Sequence, residues 1–291
     1  MLTKASCCKV NLLLNILGKR ADGFHELETL MHPVPLFDQL SFERVGTGIQ
    51  LTCSDPNLPT DGKNLIVRAA DLFANAAGIG PNDGVRIHLE KMLPVAAGIG
   101  GGSGNAAATF LAMNELFGQP LPAQRVWELA AGLGSDIPFF LQNGPALATG
   151  RGEFIEPLSP FETMRGAWFI LVHPGFGIST PWAYQQLAKF PEAVNGKPGR
   201  ARQLADLLRK DLPGAAKSLY NSLEAPALWK YPLLELFQEF FREQGVLGTL
   251  MSGSGSATFA LAASQASAQG ILEKFKAKFG TEIWTAAVPA M

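Results

Sequence analysis

One stretch constrains this chain more than any other: Pro94-Val95-Ala96-Ala97-Gly98-Ile99-Gly100-Gly101-Gly102-Ser103-Gly104-Asn105-Ala106-Ala107-Ala108. Ahead of it Val85, Ile87 and Leu89 alternate with Arg86, His88 and Glu90, the two-residue period of a half-buried strand, and behind it the alanines favour a helix. The unit reads as strand, glycine loop, helix. Five glycines in the seven positions from Gly98 to Gly104 strip the loop of side chains, so a bulky ligand can approach the backbone. Ser103 or Asn105 is expected to cap the helix. Free N–H groups at a helix start, together with the helix dipole, make an anion site, phosphate being the best fit. A tight turn without a ligand is the competing reading.

Two familiar phosphate loops do not fit. A Walker loop ends in Gly-Lys-Ser/Thr, and no lysine follows Gly98 before Lys189. A dinucleotide fingerprint would place a third glycine where Ser103 stands, and an acidic residue at the end of a second strand about twenty positions on. Here Glu115 and Phe117 lead into Pro120, Pro122 and another helix.

Elsewhere, Val10, Leu12, Leu14 and Ile16 alternate with Lys9, Asn11 and Asn15, so one strand face gathers a cation and amides. Without further context that face is the wet side of an edge strand. Gly18 to Gly23 form a turn, and Leu27 to Val34 resume extended structure. Two short strands flank Gly46 and Gly48, and the segment from Asp61 to Arg68 starts a helix running to about Ala77, with a helix cap as one reading of Asn64. Gly134-Ser135-Asp136-Ile137-Pro138 reads as a helix start with Asp136 as its cap. The continuous apolar run Trp168 to Val172 is a central strand. Helices are expected at 202–208, 233–243 and 265–279, and a second glycine loop, Gly248 to Ala260, lies between short strands. Leu158-Ser159-Pro160 is the linker, giving domains 1–157 and 158–291.

The 291 residues carry 24 Lys+Arg and 25 Asp+Glu, a net charge of −1 that leaves no electrostatic footprint for nucleic acid or an anionic membrane. Cys7, Cys8 and Cys53 form neither a disulfide framework nor a metal spacing, which suits a reducing cytoplasm. The apolar run Val10 to Leu17 is short and broken by Asn11 and Asn15, so no signal peptide is expected, and no membrane span is read. His25, His32, His88 and His173 are scattered, and no metal site is expected from the protein alone.

The glycine loop, with Pro94 four residues ahead of Gly98 and Asn105-Ala106-Ala107 after it, resembles the ATP loop of the GHMP kinases (galactose, homoserine, mevalonate and phosphomevalonate kinases). Lys9-Val10-Asn11-Leu12 through Arg20-Ala21-Asp22-Gly23-Phe24-His25-Glu26-Leu27 resembles the N-terminus of one branch. That branch phosphorylates the 2-hydroxyl of a diphosphocytidyl-methylerythritol in the non-mevalonate isoprenoid pathway. Gly248 to Ala260 resembles the third family motif.

The resemblance implies an α+β, two-domain fold with the active site in the cleft between domains. It implies ATP and Mg²⁺ as cofactors and a small-molecule substrate bearing cytidine diphosphate. It implies Lys9 and Asp136 as catalytic residues: Asp136 takes the hydroxyl proton, and Lys9 holds charge on the phosphoryl oxygens. It implies that Asn64, Lys91 and Pro94, Val95, Ala96, Ala97, Gly98, Ile99, Gly100, Gly101, Gly102, Ser103, Gly104 and Asn105 bind ATP. Substrate would meet Asn11, Phe24, His25, Thr180, Tyr184, Gly253 and Ser254. A cytoplasmic monomer or weak homodimer is expected. Four positions depart from the family: Cys7 and Cys8 for Pro-Ala, Phe24 for a frequent Tyr, and Gly104 for a second serine. The alternatives are a homoserine, sugar or mevalonate-type kinase, which the Lys9 to His25 segment disfavours, a dinucleotide oxidoreductase, or a ligand sensor without turnover.

Overall fold

The structure, a computed structural model, describes residues 1–80, 82–194 and 196–291. The chain divides into two compact units. The first comprises Met1–Cys8, Leu36–Leu93 and Gly100–Asn143; the second comprises Lys9–Pro35, Pro94–Ile99 and Gly144–Met291. Two long strands, β1 (Leu2–Lys19) and β2 (His25–Val45), each contribute residues to both. The linker candidate Leu158 to Pro160 lies inside the second unit, where the Leu158 amide donates to the Pro145 carbonyl at 2.8 Å.

In the first unit, β3 (Ile49–Cys53) runs parallel to β4 (Gly84–Glu90), and β4 runs antiparallel to the end of β2 with Gln39 opposite Glu90 and Val45 opposite Gly84. The period-2 pattern works here as read. Val85, Ile87 and Leu89 are buried while Arg86, His88 and Glu90 are exposed, and Leu40 and Phe42 continue the same apolar sheet face. Helices α1 (Leu65–Ala77), α2 (Gly101–Leu116) and α3 (Ala123–Leu133) supply the rest of that core through Ile66, Phe73, Phe110, Met113 and Val126. Asn64 caps α1, its Oδ1 accepting from the Ile66 amide at 2.9 Å, and Gly78 closes the helix with φ +64°.

In the second unit, β5 (Ala146–Gly150) pairs antiparallel with the start of β2 and with β6 (Phe154–Pro157). A separate antiparallel sheet is built on β7 (Trp168–His173). Helices α4 (Thr180–Gln186), α5 (Arg200–Leu208) and α6 (Leu212–Ala216) follow, then β8 (Tyr220–Asn221), which runs parallel to β1 beside Leu13 and Leu14. Helices α7 (Glu224–Lys230) and α8 (Pro232–Glu243), strands β9 (Gly248–Met251) and β10 (Thr258–Ala262), helix α9 (Gln265–Phe279) and strand β11 (Trp284–Pro289) complete it. The sheet order is β11-β7-β10-β9, so β7 is internal, as its unbroken apolar run predicts. Phe237, Phe240, Phe241, Phe275 and Phe279 lock α8 to α9, with ring centroids between 4.7 and 5.7 Å apart.

Two local expectations are overturned. Neither Ser103 nor Asn105 caps α2: Gly100, at φ +74°, occupies the N-cap position without a side-chain bond, and both residues lie inside the helix. Only a residue that tolerates the left-handed region can make that entry, and glycine does so without a steric penalty. Likewise Asp136 caps no helix, because the short 3₁₀ turn Pro138–Leu141 starts after Ile137 without a side-chain cap.

Candidate functional site

The polar face of β1 is not wet. Lys9, Asn11 and Asn15 are 3%, 2% and 0% exposed, so the edge-strand reading is excluded and each polar head must be satisfied inside the protein. Lys9 Nζ donates to Asn11 Oδ1 at 2.5 Å and to the Gly98 carbonyl at 3.1 Å. Asn11 Nδ2 donates to Thr29 Oγ1 at 2.8 Å, and Thr29 Oγ1 donates to the Leu13 carbonyl at 2.6 Å. This chain fixes the amide so that its oxygen faces the ammonium.

The first half of the glycine loop, Pro94 to Ile99, is held by the same strand and by the second glycine loop. The Lys9 amide donates to the Ile99 carbonyl at 2.9 Å, the Ala257 amide to the Ala97 carbonyl at 2.9 Å, and Ser252 Oγ to the Gly98 carbonyl at 3.0 Å. Gly98 has φ +77°, and a Cβ there would lie 2.8 Å from the Gly255 amide nitrogen and closer still to the Ser252 carbonyl. Gly253, at φ +55°, is equally enclosed: a Cβ would meet the Gly98 carbonyl at 2.7 Å, Lys9 Nζ at 3.3 Å and Asn11 Oδ1 at 3.4 Å. The glycines of the second loop thus permit close approach of backbone to backbone and to a buried cation. Asn221 Nδ2 anchors that loop by donating to the Met251 and Gly253 carbonyls at 2.8 and 2.7 Å.

Four further candidates in this unit meet in pairs. Thr180 Oγ1 and Ser254 Oγ are 2.8 Å apart, and the His25 ring lies 5.1 Å from the Tyr184 ring. Burial, reinforced by Lys19, lowers the His25 pKa, which favours the neutral imidazole. Phe24 is 54% exposed at the end of the Arg20 to Phe24 turn.

In the first unit the loop continues into α2. Gly102 is exposed and Ser103 half-buried, while Gly101, Gly104 and Asn105 face inward. The amides opening a helix have no carbonyl partner within it, so the exposed Gly102–Ser103 side is the part able to receive an anion. Gly104 is obligatory in this chain for a packing reason: a Cβ would sit 2.7 Å from both the Cys7 carbonyl and Ser6 Oγ.

A hub absent from the sequence reading lies beneath this helix. Asp38 is fully buried; Oδ1 accepts from the Met92 and Leu93 amides at 2.8 and 2.9 Å, and Oδ2 from Lys91 Nζ at 2.8 Å and Asn105 Nδ2 at 3.0 Å. Lys91 Nζ also donates to the Leu93 carbonyl. Lys91 and Asn105, read as ATP ligands, turn their polar ends to Asp38 and tie the end of β4 to α2. Asn64 is similarly engaged, capping α1 and donating from Nδ2 to the Pro59 carbonyl at 2.7 Å. A signal for Asp38 existed: it shares a strand face with Leu40 and Phe42, and an acid at an inward position needs partners. Asp136 is half-buried in the turn before Pro138, where the Ile137 amide donates to the Gly134 carbonyl at 3.1 Å. Among the described residues, no group of three or more His, Cys, Asp or Glu could hold a metal ion.

Residues 64–144 match the description "GHMP kinases N terminal domain" and residues 203–281 match "GHMP kinases C terminal". The chain is 42% identical to a protein of Synechococcus sp. (strain JA-3-3Ab) named 4-diphosphocytidyl-2-C-methyl-D-erythritol kinase, over 88% of this chain and 83% of that protein. It is 38% identical to a protein of the same name from Pelotomaculum thermopropionicum, over 95% and 94%. A solved structure described as a 4-(cytidine 5'-diphospho)-2C-methyl-D-erythritol kinase superposes with a TM-score of 0.82 at 35% identity, covering 99% of both chains. A glycine loop opening a helix, a lysine buried against it, a second glycine loop behind it, and this likeness along the whole length lead to one conclusion: the chain belongs to the GHMP kinase family.

Proposed function

We propose that this chain transfers the γ-phosphoryl group of ATP to the 2-hydroxyl of 4-diphosphocytidyl-2-C-methyl-D-erythritol, in the non-mevalonate route to isoprenoid precursors. The observation that carries the reading is the buried Lys9–Asn11 pair against the Gly98 carbonyl, in the segment that separates this branch from other members of the family. The names of the relatives at 42% and 38% identity support the same substrate.

In the reaction, the substrate oxygen forms a bond to the γ-phosphorus as the bond from that phosphorus to the ADP oxygen breaks. Asp136 accepts the hydroxyl proton, and the Lys9 ammonium offsets charge on the transferring oxygens. The loop from Pro94 to Gly104 holds the phosphates through main-chain amides, with Ser103 adding a hydroxyl. Lys91, Asn64 and Asn105 act on ATP by shaping this loop and the adjoining helix start, since their polar ends are bonded within the protein. Mg²⁺ would be held chiefly by the nucleotide's phosphates, as is usual for this ion, and would neutralise them.

The cytidine end is assigned to Phe24, His25 and Tyr184, and hydrogen bonding along the substrate to Asn11, Thr180, Gly253 and Ser254. Residues 1–157 and 158–291 are proposed as the two domain modules, each containing one of the two matched regions. Among the described residues no helix is long and apolar enough to cross a membrane. A cytoplasmic monomer or weak homodimer completes the proposal.

The test is ADP release with a panel of alcohols: the cytidine diphosphate compound, homoserine, mevalonate and galactose. Turnover with the first alone supports the reading. Turnover only with another member of the panel, or with none, overturns it.

A further inference from the structure

Arg151 stands outside every group described so far, yet it lies against one of the exposed aromatic candidates. Its guanidinium carbon is 4.7 Å from the centroid of the Phe24 ring, over the ring face. That separation is within the range of a favourable cation–π contact.

The geometry around this pair is built rather than incidental. Arg151 sits at the tip of the β5–β6 hairpin between Gly150 at φ +74° and Gly152 at φ +103°. The turn is closed by the Gly152 amide donating to the Thr149 carbonyl at 3.1 Å. Glu153 then fixes the arginine twice: its Oε2 accepts from the Arg151 amide at 2.6 Å, and its Oε1 accepts from Nε at 3.3 Å. A side chain with four rotatable bonds is thereby held in one direction.

The facing turn is also tied down. The Arg20 amide donates to the Phe24 carbonyl at 2.8 Å, the Phe24 amide donates to Asp22 Oδ1 at 3.1 Å, and the Arg20 side chain pairs with Asp22 and Glu26. The hairpin and the turn are joined through strand pairing, with Leu27 opposite Gly150.

The Phe24 ring is 54% exposed. Here one face already carries a planar cation and the rest remains open.

We infer that Arg151 is a positioning residue for a nucleobase: it fixes the plane of Phe24 by stacking on one face, so that the other face receives the base of the substrate. The inference rests on the reading that the substrate carries a cytidine base, and it adds a specificity residue to that site. Its physical gain is preorganisation, since a ring already held in the bound orientation loses less freedom when the base arrives. Arginine suits this task better than lysine because its charge is spread over a plane that matches the ring.

The experiment titrates cytidine 5'-diphosphate into the intact protein by calorimetry, alongside steady-state kinetics with the diphosphocytidyl substrate. R151A is expected to weaken the nucleotide and to raise KM for that substrate by about threefold to tenfold, leaving kcat and the KM for ATP unchanged. R151K recovers less than half of the loss. Because Arg151 acts through the ring, R151A has no further effect in an F24A background. Unchanged binding in R151A, or a full effect of R151A in the F24A background, overturns the role of Arg151 while wild-type binding keeps the cytidine reading intact. Wild-type protein that binds no cytidine nucleotide and does not use the cytidine substrate overturns both.

Discussion

Replacing Gly98 by alanine tests the claim that backbone packing shapes the first glycine loop. The residue has φ +77°, where an L side chain costs about 1–2 kcal/mol. The new methyl would also press on the Ser252 carbonyl and on the Gly255 amide nitrogen at 2.8 Å. Both are backbone atoms of a loop anchored by Asn221, so they cannot swing aside as a flexible side chain would. Overpacking of this kind costs about 1–3 kcal/mol. The sum, about 2–5 kcal/mol, is a large part of the stability of an ordinary domain, about 5–15 kcal/mol. Four tryptophans of the same unit, Trp168, Trp182, Trp229 and Trp284, report its unfolding in urea by fluorescence. Gly102→Ala is the comparison, because it lies in α2 of the first unit, where Trp127 is the reporter, and a Cβ there meets only Leu65 Cδ1 at 3.6 Å. Helix propensity then favours alanine by up to about 1 kcal/mol. Gly98→Ala should unfold at clearly lower urea and Gly102→Ala at equal or higher urea. Equal midpoints for wild type and Gly98→Ala would refute the packing argument.

Three further predictions concern chemistry and charge. Lys9→Ala and Asp136→Ala should each lower kcat by about 10²–10⁴, the range for a charge-stabilising or proton-accepting group; wild-type turnover in both would remove the mechanism. Lys91→Met should cost about 3 kcal/mol in urea unfolding, because it leaves the fully buried Asp38 carboxylate short of its cation; an unchanged midpoint would show that the two amides and Asn105 suffice. Burial pushes the Glu224 carboxyl up to about 7 against the opposing pull of the Met251 amide, Gln238 and Arg242, and burial pushes His32 down to about 4 despite its bond to the Pro33 carbonyl. The folded state therefore keeps a proton on Glu224 that the unfolded chain releases, so this group's contribution falls as pH rises from the ordinary glutamate value near 4.5 to about 7. His32 acts in the opposite sense, contributing stability above about 6.5 that is lost as pH falls toward 4. Each effect is about 3 kcal/mol and the windows overlap, so they nearly cancel in the wild type. Glu224→Gln should unmask a steep loss of stability between pH 6.5 and 4.5, and an equally flat profile in that variant would contradict the assignment.

What the sequence determined by itself was periodicity, punctuation and motif order. Alternation located β4 and the apolar face of β1, and the unbroken run at Trp168 to Val172 marked an internal strand, because burial on one or both faces writes itself directly into residue order. The glycine loop, the helix behind it and the second glycine loop were legible for the same local reason, and Asn64 was readable as a helix cap.

Only tertiary structure decided which polar residues are buried and whom they serve. Lys9 and Asn11 looked like a wet strand face until β1 was seen enclosed on both sides, and Gly98 looked merely permissive until Ser252 and Gly255 filled the space beside it. Asp38 stayed hidden because its partners come from residues 53 to 67 positions away. Arg151 and Phe24 are farther apart still in the chain, yet strand pairing between β2 and β5 sets one over the other. Local order fixes what a residue offers, but desolvation and partner geometry depend on segments that meet only when the chain has folded, and these set the charge, reach and role of each group.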